Sequence, residues 1–283
     1  MTLAEALIFY KQRLLSVTDA AEASAMTTLL LEHVLQADRT VFHKLQRNVL
    51  TTVQLQQLSH LAEEVLTGRP LQYVLGEAWF CGLKLIVNPH VLIPRPETEE
   101  LVEWIIANCR FPVSALQVLD MGTGSGCIAL ALKRRIRKAD VIAADIDPEA
   151  LSVARQNALL LGIDIQLVQA DLSTTDGWNR IPDADIIVSN PPYISTAEKT
   201  AMSATVLDYE PHLALFAPAS DPLFFYRKLV LLAEQKLKLE GQLFAELNAT
   251  YAEETAMLFR KANFQVTVKK DMQGKDRMLR AWR

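Results

Sequence analysis

Two hydrophobic periodicities divide the chain. Up to about residue 70 the apolar positions recur every three to four residues. Leu3, Leu7, Tyr10 and Leu14 fall on one helical face, residues 29–35 belong to a second amphipathic helix, and Leu55, Leu58, Leu61, Ala62 and Val65 define a third. Thr51 and Thr52 stand where that third helix needs a cap, and Gly68 followed by Pro70 ends it. No catalytic constellation occurs in this stretch. It reads as a small helical bundle, with docking of a macromolecular substrate as the sharper reading.

From Pro70 to Pro94 the pattern changes to extended runs. Residues 79–87 and 91–93 predict a β-hairpin joined near Asn88-Pro89. Ile93-Pro94-Arg95-Pro96-Glu97-Thr98-Glu99-Glu100 then leads into a helix carrying Leu101, Val102, Trp104 and Ile105. Acidic residues suit a first helical turn. Arg95, fixed between two prolines, reads equally as local structure or as the wall of a site.

Downstream, strands and helices alternate. Strands are predicted at 116–120, 141–145, 164–168, 184–190 and 242–247, and helices at 128–135, 148–161, 223–237 and 251–261. Alternation of this kind builds a mostly parallel sheet covered on both faces. Two last strands, 264–268 and 278–282, are joined by a connection short enough to make them antiparallel. The expected fold is α/β and Rossmann-like, with seven strands. It is organised as a helical domain over 1–72, a hairpin linker over 73–94 and a sheet domain over 95–283.

Composition narrows the class only a little. The chain has 283 residues, half of them apolar and 22% charged, and a formal net charge of −4. That is a globular composition without the basic surface of a dedicated nucleic-acid binder. The run Lys133-Arg134-Arg135-Ile136-Arg137-Lys138 reads as a solvated helix end. Cys81, Cys109 and Cys127 are odd in number and widely spaced, which predicts reduced thiols, not a disulfide frame or a zinc site. No metal is implied. No run of about 18 apolar residues occurs, so the expectation is a soluble cytoplasmic protein away from membranes. A monomer is expected as well, although no feature of the sequence fixes the oligomeric state.

Candidate chemistry sits at the strand ends. Asp120-Met121-Gly122-Thr123-Gly124-Ser125-Gly126 is a strand-to-helix turn with three alternating glycines. A dinucleotide fingerprint would need its third glycine where Cys127 stands, and the lysine of a phosphate-binding loop is missing. Asp120 would repel a pyrophosphate but suits an ammonium or sulfonium centre. Asp145, at the end of the second strand, can accept both hydroxyls of an unphosphorylated ribose. Asp171 could take the exocyclic amine of an adenine, with Leu172 packing on its face, although a lone acid there is often only a cap. Together these residues map a ligand that fits S-adenosylmethionine. Ser189 leads into Asn190-Pro191-Pro192-Tyr193, where two prolines stop the strand and hold an amide, a rigid turn and a ring at its carboxyl end. Such a turn suits a planar amino group as acceptor.

The glycine loop with Asp145 resembles the class I S-adenosylmethionine-dependent methyltransferases, and Asn190-Pro-Pro-Tyr193 resembles the tetrapeptide they use on adenine amines or glutamine amides. Pro70-Leu71-Gln72-Tyr73, Phe80-x-Gly82-Leu83, Leu92-Ile93-Pro94-Arg95-Pro96-Glu97-Thr98-Glu99, Glu210-Pro211 and Asp271-x-x-Gly274-x-x-Arg277 narrow the resemblance to the peptide chain release factor glutamine N5-methyltransferases. It spans roughly 70–283. Two departures stand out: Leu247 follows Glu246 where the family often has glycine, and 213–222 lacks the glycines usual after Glu-Pro.

The resemblance implies methyl transfer to the glutamine of the Gly-Gly-Gln motif of release factors. Asn190, Pro191 and Tyr193 would be the catalytic residues. Asp120, Gly122, Thr123, Gly124, Ser125, Gly126, Asp145, Asp171, Leu172 and Asn190 would bind cofactor. Arg95 and the four residues 190–193 would bind substrate. Asn190 Oδ1 and the Pro191 carbonyl are expected to accept the two amide hydrogens, with the Tyr193 ring on the amide plane. None of His33, His43, His60, His90 and His212 is placed by sequence to act as a base. The rivals are an adenine-N6 nucleic-acid methyltransferase, which would need base flipping and a basic groove, and a non-catalytic adenosyl-binding module.

Overall fold

The computed structural model describes residues 1–37, 42, 44–109, 116–218 and 221–283, so His43 lies outside the described residues. They fall into two compact units, Met1–Gly76 with Ser203–Tyr209, and Glu77–Met202 with Glu210–Arg283.

In the first unit, α1 (Leu3–Leu14), α2 (Ala20–Leu35) and α3 (Thr52–Leu66) are followed by the short α4 (Leu71–Leu75). Each long helix starts on a side-chain cap. Thr2 with Glu5 and Thr51 with Gln54 form reciprocal capping boxes, and Asp19 accepts from the Ala21 and Glu22 amides. The periodic positions read from sequence form the core: Leu3, Leu14, Leu30, Leu31 and Leu58 are fully buried. The helix Ala204–Tyr209 belongs to the same unit, where the Tyr209 hydroxyl donates to the Thr67 carbonyl (3.3 Å).

The second unit opens with a hairpin, β1 (Glu77–Phe80) and β2 (Leu83–Ile86), in antiparallel register. The turn is at Cys81-Gly82 and not near Asn88-Pro89, and Val91–Ile93 is not a strand. Cys81 (φ 48°) and Gly82 (φ 70°) are both left-handed, the signature of a two-residue turn that matches strand twist. Period-two alternation continues through so short a turn, so the run looked like one strand. The hairpin buries Phe80, Leu83 and Leu85 in a core shared with α5 (Pro96–Asn108), β3 (Gln117–Met121) and α6 (Cys127–Arg135).

Beyond β3 come β4 (Asp140–Asp145), α7 (Pro148–Leu161), β5 (Gln166–Gln169) and β6 (Ala184–Ser189). The chain closes with α8 (Phe224–Lys236), β7 (Leu237–Glu246), α9 (Ala252–Lys261), β8 (Gln265–Lys270) and β9 (Asp276–Trp282). The seven strands lie in the order β5-β4-β3-β6-β7-β9-β8, parallel from β5 to β7 and antiparallel at β9 and β8. Alternate residues of β3 serve opposite faces, as period-two geometry requires. Val118 joins the core with α5 and α6, while Leu119 and Met121 join the one with α8 and α9.

Strand order decides where the site falls. The chain runs outward from β3 to β4 and β5, then returns to place β6 on the other side of β3. Such a reversal opens a crevice at the carboxyl ends of the two middle strands. There the Ser189 hydroxyl donates to the Met121 carbonyl (2.7 Å), tying the two strand ends together.

Candidate active site

A cavity of about 240 Å³ opens at this reversal. Eleven of the fourteen residues singled out from sequence line it: Arg95, Gly122, Thr123, Gly124, Ser125, Asp145, Asp171, Leu172, Asn190, Pro191 and Pro192. Asp120, Gly126 and Tyr193 do not; they stand behind the wall and hold it in shape.

The loop after β3 is built by hydrogen bonds to its own carboxylates. Asp120, fully buried, accepts from the Thr123 hydroxyl (2.6 Å) and the Ala129 amide (3.1 Å) on Oδ2. The Gly122 and Thr123 amides donate to the Ala144 carbonyl, and the Gly124 amide donates to Asp145 Oδ2 (2.8 Å). Asp145 Oδ1 accepts from the Asp147 amide (3.0 Å). Gly126 closes the loop with φ at +81°, and a Cβ there would sit 3.2 Å from the Ala154 Cβ and from Leu130 Cδ1. Glycine lets α6 start this close to α7 without crowding, in a left-handed conformation that side chains rarely adopt. Burial pushes the Asp120 carboxyl up to about 7, and burial also raises Asp145.

Asp171 spends its carboxylate locally, accepting from the Ser173 amide (2.7 Å) and hydroxyl (2.6 Å), while still facing the cavity beside Leu172. Arg95 is paired with Glu210, whose other oxygen accepts from the Ile93 amide (3.2 Å). That pair explains the Glu210-Pro211 motif: Glu210 fixes the arginine and the proline-rich strap on which it sits.

The far wall belongs to the turn after β6. Asn190 Nδ2 donates to the Thr98 hydroxyl (3.4 Å), which donates to Glu246 Oε2 (2.7 Å). The Tyr193 hydroxyl donates to Glu246 Oε1 (2.8 Å), and the Tyr193 carbonyl accepts from Asn248 Nδ2 (3.1 Å). Burial raises Glu246, and burial with the neighbouring Glu246 raises the Tyr193 hydroxyl well above its ordinary value. Tyr193 packs against the sheet core, so its ring supports the turn from behind.

Sequence reasoning quoted Thr98 and Glu246 without giving either a role, and passed over Asn157. Asn157 is fully buried on α7. It accepts from the Ile86 amide (2.6 Å) and donates to the Ile86 (3.0 Å) and Ser125 (2.9 Å) carbonyls, joining hairpin to glycine loop. A polar residue on the apolar face of α7 was the available signal. His90 also lines the cavity. The Asp271-x-x-Gly274-x-x-Arg277 motif runs from the turn after β8 into the start of β9. Asp271 accepts from the Gln273 and Lys275 amides and from Arg277 Nε (3.3 Å), and Arg277 donates to the Leu247 carbonyl (3.2 Å). It therefore anchors the end of β7, next to Glu246.

The residues present fit S-adenosylmethionine. Asp145 offers carboxylate oxygens at the cavity wall, apolar surface flanks it at Ile146, Ala150 and Leu172, and Asp120 Oδ1 is buried without a partner among the described residues. At Gly122 and Gly124 an added Cβ would meet no atom within 4 Å, so the loop leaves open space. Among the described residues there is no group of three His, Cys, Asp or Glu side chains suited to a metal, and no helix long and apolar enough to cross a membrane.

Sheet order, glycine loop and Asn-Pro-Pro-Tyr turn together define an S-adenosylmethionine-dependent methyltransferase. The methyltransferase small domain family matches residues 98–267, and the PrmC N-terminal domain family matches residues 5–76. The chain is 42% identical over 275 residues to the release factor glutamine methyltransferase of Flavobacterium psychrophilum, covering 96% of this chain and 95% of that one. It is 38% identical over 274 residues to the protein of the same name from Bacteroides thetaiotaomicron, covering 96% and 97%. A methyltransferase structure from Pyrococcus furiosus shares the fold, with a TM-score of 0.53, 20% identity, and 79% and 98% of the two chains covered. The chain belongs to the release factor glutamine methyltransferase family.

Proposed function

We propose that this enzyme transfers a methyl group from S-adenosylmethionine to the side-chain amide nitrogen (N5) of the glutamine in the Gly-Gly-Gln motif of peptide chain release factors, and so modulates translation termination. One observation carries the reading: the glycine loop with Asp145 and the Asn190-Pro191 turn face a single cavity. The bound cofactor supplies a sulfonium-activated methyl group. Asp145 would hold its ribose hydroxyls, the backbone of Gly122 to Gly124 its chain, and Asp171 with Leu172 its adenine.

An amide nitrogen is a poor nucleophile because its lone pair is delocalised into the carbonyl. Asn190 Oδ1 and the Pro191 carbonyl accept its two hydrogens, hold the nitrogen still and favour lone-pair density on the side facing the methyl. Pro192 makes that turn rigid, and Tyr193, pinned to Glu246, steadies its far end. Arg95, on the cavity wall, would bind the substrate. Catalysis is by positioning and electrostatics, with no strong base: once the nitrogen takes the methyl it becomes strongly acidic, and one of its two hydrogens leaves as a proton to water.

We assign residues 1–72 as the docking domain for the release factor, 73–94 as the hairpin linker and 95–283 as the catalytic domain. The enzyme works as a monomer in the cytoplasm, beside its protein substrate, and takes neither nucleic acid nor membrane as a partner. Transfer of labelled methyl to purified release factor, run beside duplex DNA and RNA, tests the reading. Label on the factor's Gly-Gly-Gln glutamine is expected; label on nucleic acid and none on protein overturns it.

A further inference from the structure

Glu246, Thr98 and Asn190 form a hydrogen-bond chain whose direction is fixed at one end. The buried Glu246 carboxylate takes the Tyr193 hydroxyl on one oxygen (2.8 Å) and the Thr98 hydroxyl on the other (2.7 Å). Against the burial that raises it, the hydroxyls of Thr98 and Tyr193 and the charge of Arg277 favour the ionised form of Glu246. A carboxylate only accepts, and a threonine hydroxyl has a single proton to give. Thr98 Oγ1 is therefore left with lone pairs alone on its remaining side. The group facing it at 3.4 Å must be a donor, and in Asn190 only Nδ2 qualifies. Turning the Asn190 amide over would set Oδ1 against the lone pairs of the buried Thr98 hydroxyl, which would then find no hydrogen.

Resting on the proposed glutamine acceptor, we propose that Glu246, acting through Thr98, is the positioning residue that presents Asn190 Oδ1 to the substrate and makes the pocket read a carboxamide rather than a carboxylate. Asn190 lines the cavity, and Oδ1 accepts no hydrogen bond from the described residues. With Oδ1 and the Pro191 carbonyl as paired acceptors, a side chain carrying two N–H hydrogens is satisfied. A glutamate at the same place brings only acceptors against acceptors. Sites built to pair a specific donor reject the analogue that lacks it far more strongly than apolar pockets reject a change of size. Glu246 makes no direct contact with the substrate in this arrangement. Its part is to hold the Thr98 proton.

The test uses the full chain with S-adenosylmethionine, purified release factor as substrate, and the same factor with Gln→Glu in its Gly-Gly-Gln motif as competitor. Wild type should methylate the first and be inhibited by the second only at much higher concentration. Thr98→Val and Glu246→Gln, each close in volume to the residue replaced, should lower kcat by about tenfold or more and narrow the preference for Gln over Glu by about tenfold. Cofactor affinity by calorimetry should stay within about threefold, and Thr98→Ser should restore both rate and preference. A loss of rate with an unchanged Gln-to-Glu preference is what a merely structural role would give, and it overturns the relay, as does unchanged kinetics in both variants. If one variant does not fold, the other decides by the same ratio. Failure of wild type to methylate the factor removes the proposed function and the relay with it. Methylation by wild type with the Gln-over-Glu preference unchanged in both variants removes the relay alone.

Discussion

Asn190 meets its surroundings with opposite ends of one amide, a donor toward Thr98 and an acceptor left over for the cavity. Asn190→Ala deletes the acceptor without touching the glycine loop or Asp145. Turnover should fall by about 10²-fold, the scale found when one preorganised polar group is removed from a reacting centre. Cofactor affinity by calorimetry should stay within a few-fold, and turnover near wild type would remove Asn190 from the chemistry. Asp120 gives a different kind of prediction. Its native carboxyl is pushed by burial up to about 7 from an ordinary 3.8, so the folded state holds this proton more tightly than the unfolded chain does. That contribution to stability is fully present below about pH 4 and is lost as pH rises through about 7. Asp120→Asn cannot titrate. The melting temperature of wild type minus that of the variant should therefore fall between pH 5 and pH 8, while Asp145 and Glu246, common to both proteins, cancel. An equal difference at the two pH values would mean that Asp120 stays charged when folded.

At the scale of elements, two of the three glycines in the loop from Asp120 to Gly126 do separate jobs. Gly126 has φ +81° and only a tight space for a Cβ, since Ala154 and Leu130 atoms lie 3.2 Å from where it would be and would have to give way. Gly124 has φ +53° with open space around it, and it lines the cavity. Gly126→Ala should cost about 2 kcal/mol in a denaturation experiment, adding overpacking to backbone strain. Gly124→Ala should cost about 1 kcal/mol, the strain alone, yet lower cofactor affinity by about tenfold. Reversal of that order, with Gly126→Ala weakening binding more and stability less, would contradict the division. This loop was legible in the sequence because its function demands residue types found nowhere else at that spacing. The hairpin was legible as a hairpin but not in register, because Cys81 gives no local sign that it adopts a left-handed φ. Thr98 and Glu246 were silent for another reason. They lie 148 positions apart, and only the pairing of α5 with the end of β7 brings them together. Sequence shows which side chains could accept or donate, and the fold decides which of them meet.

The docking role proposed for the helical unit allows substrate recognition to be tested apart from chemistry. In the helical unit the inward positions are filled, with Leu3, Ala6 and Leu14 fully buried on α1. The same helix leaves Ile8 73% and Phe9 48% exposed, and Val17 beyond it is 47% exposed. Large apolar side chains in such company have more area to offer a partner than a solvated helix face needs. Phe9 contacts only Tyr10 edge to face and the Arg13 guanidinium among the aromatic and cationic contacts of the described residues, so its removal leaves the core intact. The double variant Ile8→Ser with Phe9→Ser should fold with a melting temperature close to wild type, as exposed substitutions usually do. Its KM for intact release factor should rise by about tenfold, the weight of one or two central apolar contacts. Its kcat at saturation, its cofactor affinity and its rate on a short Gly-Gly-Gln peptide should not change, because none of these uses α1. A KM for intact factor equal to wild type would take the docking role away from this helix, and a matching loss on the short peptide would show the substitutions acting on the catalytic unit instead.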